Sequence, residues 1–246
     1  MAVIPQKYLL ANGKVAIFER SPVGKAINGL FAGDVSTLTL DLSVEKAEHK
    51  ESYTGQNSTA VSVPIGTTGR ISMTAHNHNA QSLARITRGT VVPQPAGSIT
   101  NESLGMLEEG QVAAISKINL TSATLTVGGE PAVEGEDYAL DKRTALLTAL
   151  TAGEFVVAEA AHGASDGVGL LTTGEKEYTV RFSGINKVDG KPYVATFYKV
   201  RFDPAQSLSF IGKEVGSYTL SGEVMLDEYK PESDVFGQFG KLDIVS

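Results

Sequence analysis

The sequence contains no cysteine and no tryptophan. The first absence excludes disulfides, thiolate nucleophiles and cysteine-ligated zinc, and it removes any redox clue to compartment. Stability must therefore come from packing and assembly. With nine Phe and eight Tyr as its whole aromatic complement, the chain is also poor in the stacking platforms that sugar-binding sites use. No apolar run approaches the length of a membrane span, so membrane insertion is not expected. The opening MAVIPQKYLL has no basic n-region and only a short apolar stretch, which makes a poor signal peptide and points to the cytoplasm as the place of synthesis. There is no Lys/Arg cluster able to track a phosphate backbone, and the formal charge is −7. Tight nucleic-acid binding is disfavoured, although an acidic surface suits a conduit through which a polyanion must slide.

What is present is a chain of 246 residues, 41% hydrophobic, with 26 Gly and no Gly-X-Y period. Apolar and polar residues alternate along most of its length, so a soluble, mainly β protein is expected. Asn12-Gly13 stands between two apolar runs and predicts a β-hairpin over residues 7–19, because both central positions of a tight hairpin turn need positive φ. SPVGKAINGLFAGDV has no clear period and reads as a connector. In STLTLDLSVE, Leu38, Leu40, Leu42 and Val44 share a face expected to be core, opposite Thr39, Asp41, Ser43 and Glu45. EHKESYTGQNSTA, residues 48–60, reads as an exposed loop or hairpin tip ahead of two further strands, VSVPIG and GRISMTAHNH. NAQSLARITRG predicts the one short helix, with Asn79 or Asn77 as N-cap, Leu83 and Ile86 on one side and Gly89 as its stop.

Texture changes at Pro93 and Pro95. Residues 92–167 carry short apolar patches between small residues and read as an inserted subdomain or extended loop region ending in the loop AAHGASDGVG. Residues 1–91 form the first part of a β core, and 168–246 complete it. There, EYTVRFSG, PYVATFYKVRF, SLSF and SYTLSGEVMLD read as strands, with Asp189-Gly190 turning between the first two. A β-sandwich or barrel core with one flanking helix is the expected architecture.

Phosphate-loop, dinucleotide, nucleophile-elbow and HExxH signatures are missing, and no catalytic residue is assigned. His76 and His78 could share one side of a strand, but two ligands with no acidic partner nearby read as a polar strand end, so no metal or other cofactor is expected. Glu45, Glu48 and Glu51 are interleaved with Lys46, His49 and Lys50, the pattern of a solvated face rather than of paired catalytic carboxylates. The tail YKPESDVFGQFGKLDIVS carries Tyr229, Phe236 and Phe239. It reads either as a strand closing the core or as an arm packing on an adjacent subunit.

LTLDLSVEKAEHKESYTGQ resembles the corresponding part of the tail tube (major tail) proteins of long-tailed bacteriophages. VRFSGIN, FYKVRFDPAQSLSFIG and YTLSGEVMLDEY look like that family's closing strands, and EGEDYALD is similar to a segment of its larger members. The resemblance covers roughly residues 10–90 and 170–240. It implies a structural, non-enzymatic virion protein assembled in the host bacterial cytoplasm. Homohexameric rings would stack into a tail tube that conducts viral DNA without binding it specifically. Tape-measure, tail terminator and baseplate proteins would be its other partners. It also implies a ring-stacking loop at Glu48, His49, Lys50, Glu51, Ser52, Tyr53, Thr54 and Gly55, with Tyr229, Phe236 and Phe239 as candidate contacts of a C-terminal arm. A β-sandwich capsid decoration or host-attachment module, which should expose an aromatic-lined concave site, is the alternative.

Overall fold

The computed structural model describes residues 8–53, 55–205, 207–232 and 235–245. The fold is mainly β, with several antiparallel sheets and one short helix, and the chain divides into two compact units. The first comprises residues 1–90 and 170–246, the second residues 91–169.

In the first unit, β1 (Ala11–Arg20) contains Asn12-Gly13 instead of turning there. Neither residue takes a positive φ. Gly13 pairs with Gly184 across β14 (Glu177–Asn186), and a Cβ on Gly13 would lie 2.3 Å from the Ser183 carbonyl oxygen. The glycine thus serves close strand approach, a need that sequence cannot distinguish from a turn. The hairpin expected at residues 7–19 forms one turn later. Ser21–Lys25 reverses the chain into β2 (Ala26–Phe31), where a connector was expected.

Gly33, at φ +86°, then turns the chain into β3 (Val35–Lys50), which pairs with β4 (Thr59–Ala75), one strand where two were expected. Helix α1 (Ala80–Ile86) follows, with the Asn79 side chain accepting a hydrogen bond from Ser82 N at 2.7 Å as its N-cap.

β5 (Thr90–Gln94) leads into the second unit and pairs with β13 (Ser165–Gly169) to form a two-stranded ribbon where a loop was expected at the insert's end. Between them lie β6 (Gly97–Leu107), β7 (Val112–Ala114), β8 (Leu120–Val127), β9 (Glu130–Pro131), β10 (Tyr138–Asp141), β11 (Leu146–Ala149) and β12 (Gly153–His162). They form two sheets, ordered β6-β12-β8-β9 and β10-β11-β7. Phe155, Val157, Leu147, Leu125 and Tyr138 are buried in this unit's own core.

β14 then pairs with β15 (Pro192–Phe202) across the Asp189-Gly190 turn; SLSF is not a strand, and β16 (Tyr218–Met225) and β17 (Gly240–Ile244) close the chain. The first unit's sheet runs β2-β1-β14-β15-β16-β4-β3, with β17 also on β15. Its two edge strands, β2 and β3, are joined by only Ala32, Gly33 and Asp34, so the sheet must curl to bring its edges together at that end. Inside the curl, Ile17, Ile71, Met73, Val180, Val200 and Leu220 are buried, as alternation along each strand requires.

Candidate functional site

The longest pairing in the molecule is the β3–β4 hairpin, and only its base belongs to the core. Ile71, Met73 and Ala75 are buried and Leu38 packs against them, but Leu42 is 72% exposed and Val44 50% exposed. The face formed by Leu38, Leu40, Leu42 and Val44 is therefore core only at its start. β16 pairs with β4 from Gly69 to Ala75 only, so residues Thr59–Thr68 have no strand on that side. As an edge strand, β3 has its outer side unpaired along its length.

Cross-strand register shows how the projecting part is organised. Leu42 faces Gly69 and Val44 faces Thr67 on one surface. At the Glu45/Lys46 register shift the extra residue, Ile65, belongs to β4, so β3 keeps its two-residue alternation, and Ala47, facing Val63, and His49, facing Val61, fall on the opposite surface. Val61, Val63 and Ile65 are each at least half exposed. Asp41 and Ser43, facing Arg70 and Thr68, share that opposite surface, while Lys46 and Glu48, facing Pro64 and Ser62, continue the surface of Leu42 and Val44. Exposed apolar side chains thus stand on both surfaces of the hairpin, Leu42 and Val44 on one and Val61 and Val63 on the other, and among the described residues no strand pairs with its outer edges.

Glu48, His49 and Lys50 lie in β3, paired with Ser62, Val61 and Thr59, and are not loop. Their polarity suggested a loop because an edge strand in solvent carries the same composition. Glu51 is buried at the tip; its N–H donates to the Ser58 carbonyl at 2.9 Å. Ser52 and Tyr53 are exposed, Tyr53 by 88%, and Gly55 takes φ +77° with open space around it. Thr54 lies outside the described residues.

The C-terminal segment folds onto its own chain. β17 pairs with β15, Tyr198 N–H donates to the Phe239 carbonyl, and the Tyr229 hydroxyl donates to the Pro22 carbonyl at 2.5 Å. Lys241 Nζ stands 5.3 Å from the centre of the Phe236 ring. Sequence had left strand and arm equally open; the paired residues of this segment form a strand.

Two hollows flank the hairpin's base. One, of about 760 Å³, lies among β1, β3, β15 and β17 and includes Phe182, Tyr193 and Phe197. The other, of about 340 Å³, is mostly apolar and shares Leu40, Phe197 and Leu242 with the first, adding Leu42 and Phe239.

Acid–base chemistry has little to draw on in these places. The carboxylates with displaced pKa values are held below the usual range: Glu19 by the Asn28 amide, Asp141 by the Thr144 hydroxyl, Glu228 by the Lys199 ammonium. Each stays ionised at neutral pH, and none lines either hollow. His76 and His78 follow β4; His78 Nδ1 lies 3.1 Å from the His76 carbonyl and its ring stands edge-on to Tyr218. Among the described residues no group of three or more His, Asp or Glu could hold a metal ion, and no helix is long and apolar enough to cross a membrane.

Geometry thus defines a class: an antiparallel curled-sheet protein with an inserted β unit and a projecting hairpin that exposes apolar side chains. The chain belongs to the family described as "Protein of unknown function UCP028589", whose model matches residues 8–243. No curated protein matches it.

Proposed function

We propose that this protein is a self-assembling structural subunit, and specifically a phage tail tube protein whose homohexameric rings stack into a conduit for viral DNA. The observation carrying the reading is the hairpin's exposed apolar side chains together with its unpaired edges. A monomer that left such a hairpin bare would be an aggregation hazard, whereas a closed ring of copies would pair the edges and bury the apolar side chains. The resemblance in the β3–tip segment and the closing strands supplies the kind of assembly. On this reading the protein is not an enzyme, takes no cofactor, resides in the virion tail after assembly in the host cytoplasm, and meets tape-measure, terminator and baseplate proteins at the tube's ends. Stacking between rings would use the tip around Glu51–Gly55, and lateral contact would use the strands below it.

Negative-stain electron microscopy across a concentration series tests this. Rings or tubes are the expected result. Uniform small particles at every concentration would favour the capsid decoration or host-attachment reading, for which the aromatic hollow at Phe182, Tyr193 and Phe197 is the natural binding surface.

A further inference from the structure

The chain's negative charge is unevenly placed. Residues 91–169 hold 11 Asp or Glu and three Lys or Arg, a formal charge of −8, while the remainder holds 17 and 18, a charge of +1; together they give the chain's −7. The nearly neutral unit is the one that exposes the apolar hairpin and most of the molecule's exposed large apolar side chains. Near-zero net charge combined with exposed apolar surface is the condition under which proteins associate indiscriminately.

Most acidic side chains of the second unit are not engaged in holding it together. Glu102, Glu134, Asp137 and Asp141 make hydrogen bonds or an ion pair. Glu108, Glu109, Glu130, Glu136, Glu154 and Glu159 make none of these and are exposed. They are spread over turns and over strands of the four-stranded sheet: Glu108 and Glu109 follow β6, Glu130 begins β9, Glu136 precedes β10, and Glu154 and Glu159 lie on β12. Such dispersal makes a field rather than a ligand site.

We infer that the inserted unit is an electrostatic disperser, whose unpaired carboxylates repel like units on other copies and keep the adhesive first unit from associating except through its specific contacts. The inference goes beyond the tube reading, since repulsion between dissolved copies requires no particular assembly. It also bears on the partner that the unit must exclude: a second copy approaching in the wrong orientation.

The test is the second virial coefficient of the full-length protein, measured by static light scattering at concentrations below any assembly. Wild type should give a positive value in low salt that falls and changes sign as salt shortens the screening length from about 10 Å at 0.1 M to about 3 Å at 1 M. A variant with Glu108, Glu109, Glu130, Glu136, Glu154 and Glu159 all replaced by Gln, at net charge −1, should already be negative in low salt with an unchanged circular dichroism spectrum. A natively folded variant that stays as repulsive as wild type would overturn the inference. So would a wild-type coefficient that ignores salt, a result that needs no variant. Micrographs of the wild type separate the two proposals: dispersed particles that never form tubes sink the tube reading and leave this one standing.

Discussion

Arg20 and Asp227 are almost sealed from solvent, with side-chain exposures of 3% and 2%, and they meet in a two-point pair at 2.6 and 3.1 Å. Arg20 also donates to the Tyr198 carbonyl at 2.7 Å, and Tyr229 N–H donates to Asp227, so the pair fastens the C-terminal segment to β1 and β15. Removing one member strands the other in a low-dielectric site. Asp227→Ala should lose about 3–5 kcal/mol in urea denaturation; a loss under 1 kcal/mol would mean water reaches Arg20. Glu19 makes a smaller, pH-dependent contribution. Its pKa is lowered by Asn28 and Lys176, so its stabilisation is complete above the usual glutamate value and is lost as pH falls through the depressed one. Because the group is partly exposed, its worth is below about 1 kcal/mol. Glu19→Gln should lower stability slightly at pH 7, and the difference should shrink as acid protonates the wild-type carboxylate; a loss that does not change with pH would point to packing instead of charge.

At the scale of elements, the Gly13–Gly184 pair tests where the first hairpin turns. A methyl at Gly13 would press on the Ser183 carbonyl, so Gly13→Ala should cost about 1–3 kcal/mol by overpacking. A neutral or stabilising result would contradict the β1–β14 register. The β3–β4 hairpin separates stability from assembly. Because Val61, Val63 and Ile65 are exposed, V61T/V63T/I65T should change monomer stability by about 0.5 kcal/mol or less. The same change should raise the concentration needed for assembly at least tenfold, about 1.4 kcal/mol, as read by sedimentation. Normal assembly by this variant would remove these exposed apolar side chains from the mechanism.

Much of this was legible in alternation: β14, β15, β16, α1 and its Asn79 cap follow from period and capping chemistry. β1 and β2 were misjudged because a glycine needed for close approach resembles one needed for a turn. The hairpin's length was hidden for a different reason. An edge strand standing in solvent has the composition of a loop, and Leu42 and Val44 look like core residues until their lack of cover is seen.

At the scale of the whole molecule, two cores with separate buried sets predict two events on heating. Scanning calorimetry should show two transitions, and a single one obeying the two-state ratio would mean that the units unfold together. Charge divides along the same line. Were six copies to form a ring, the first units would contribute +6 and the second units −48, in place of an evenly spread −42. On the proposed tube reading, DNA moving past first-unit strands would meet a nearly neutral wall, and the repulsion would come from the insert.

The pairing of β1 with β14 also sets a timetable for synthesis. β1 leaves the ribosome roughly 160 residues before its partner, a wait of about 10–30 s at ordinary elongation rates. The insert and the β3–β4 hairpin join strands near in sequence and can form during that interval. Nascent chains on one message would therefore carry a finished acidic unit while the curled sheet is still open, and the last strands to emerge would decide when a copy becomes competent to join others.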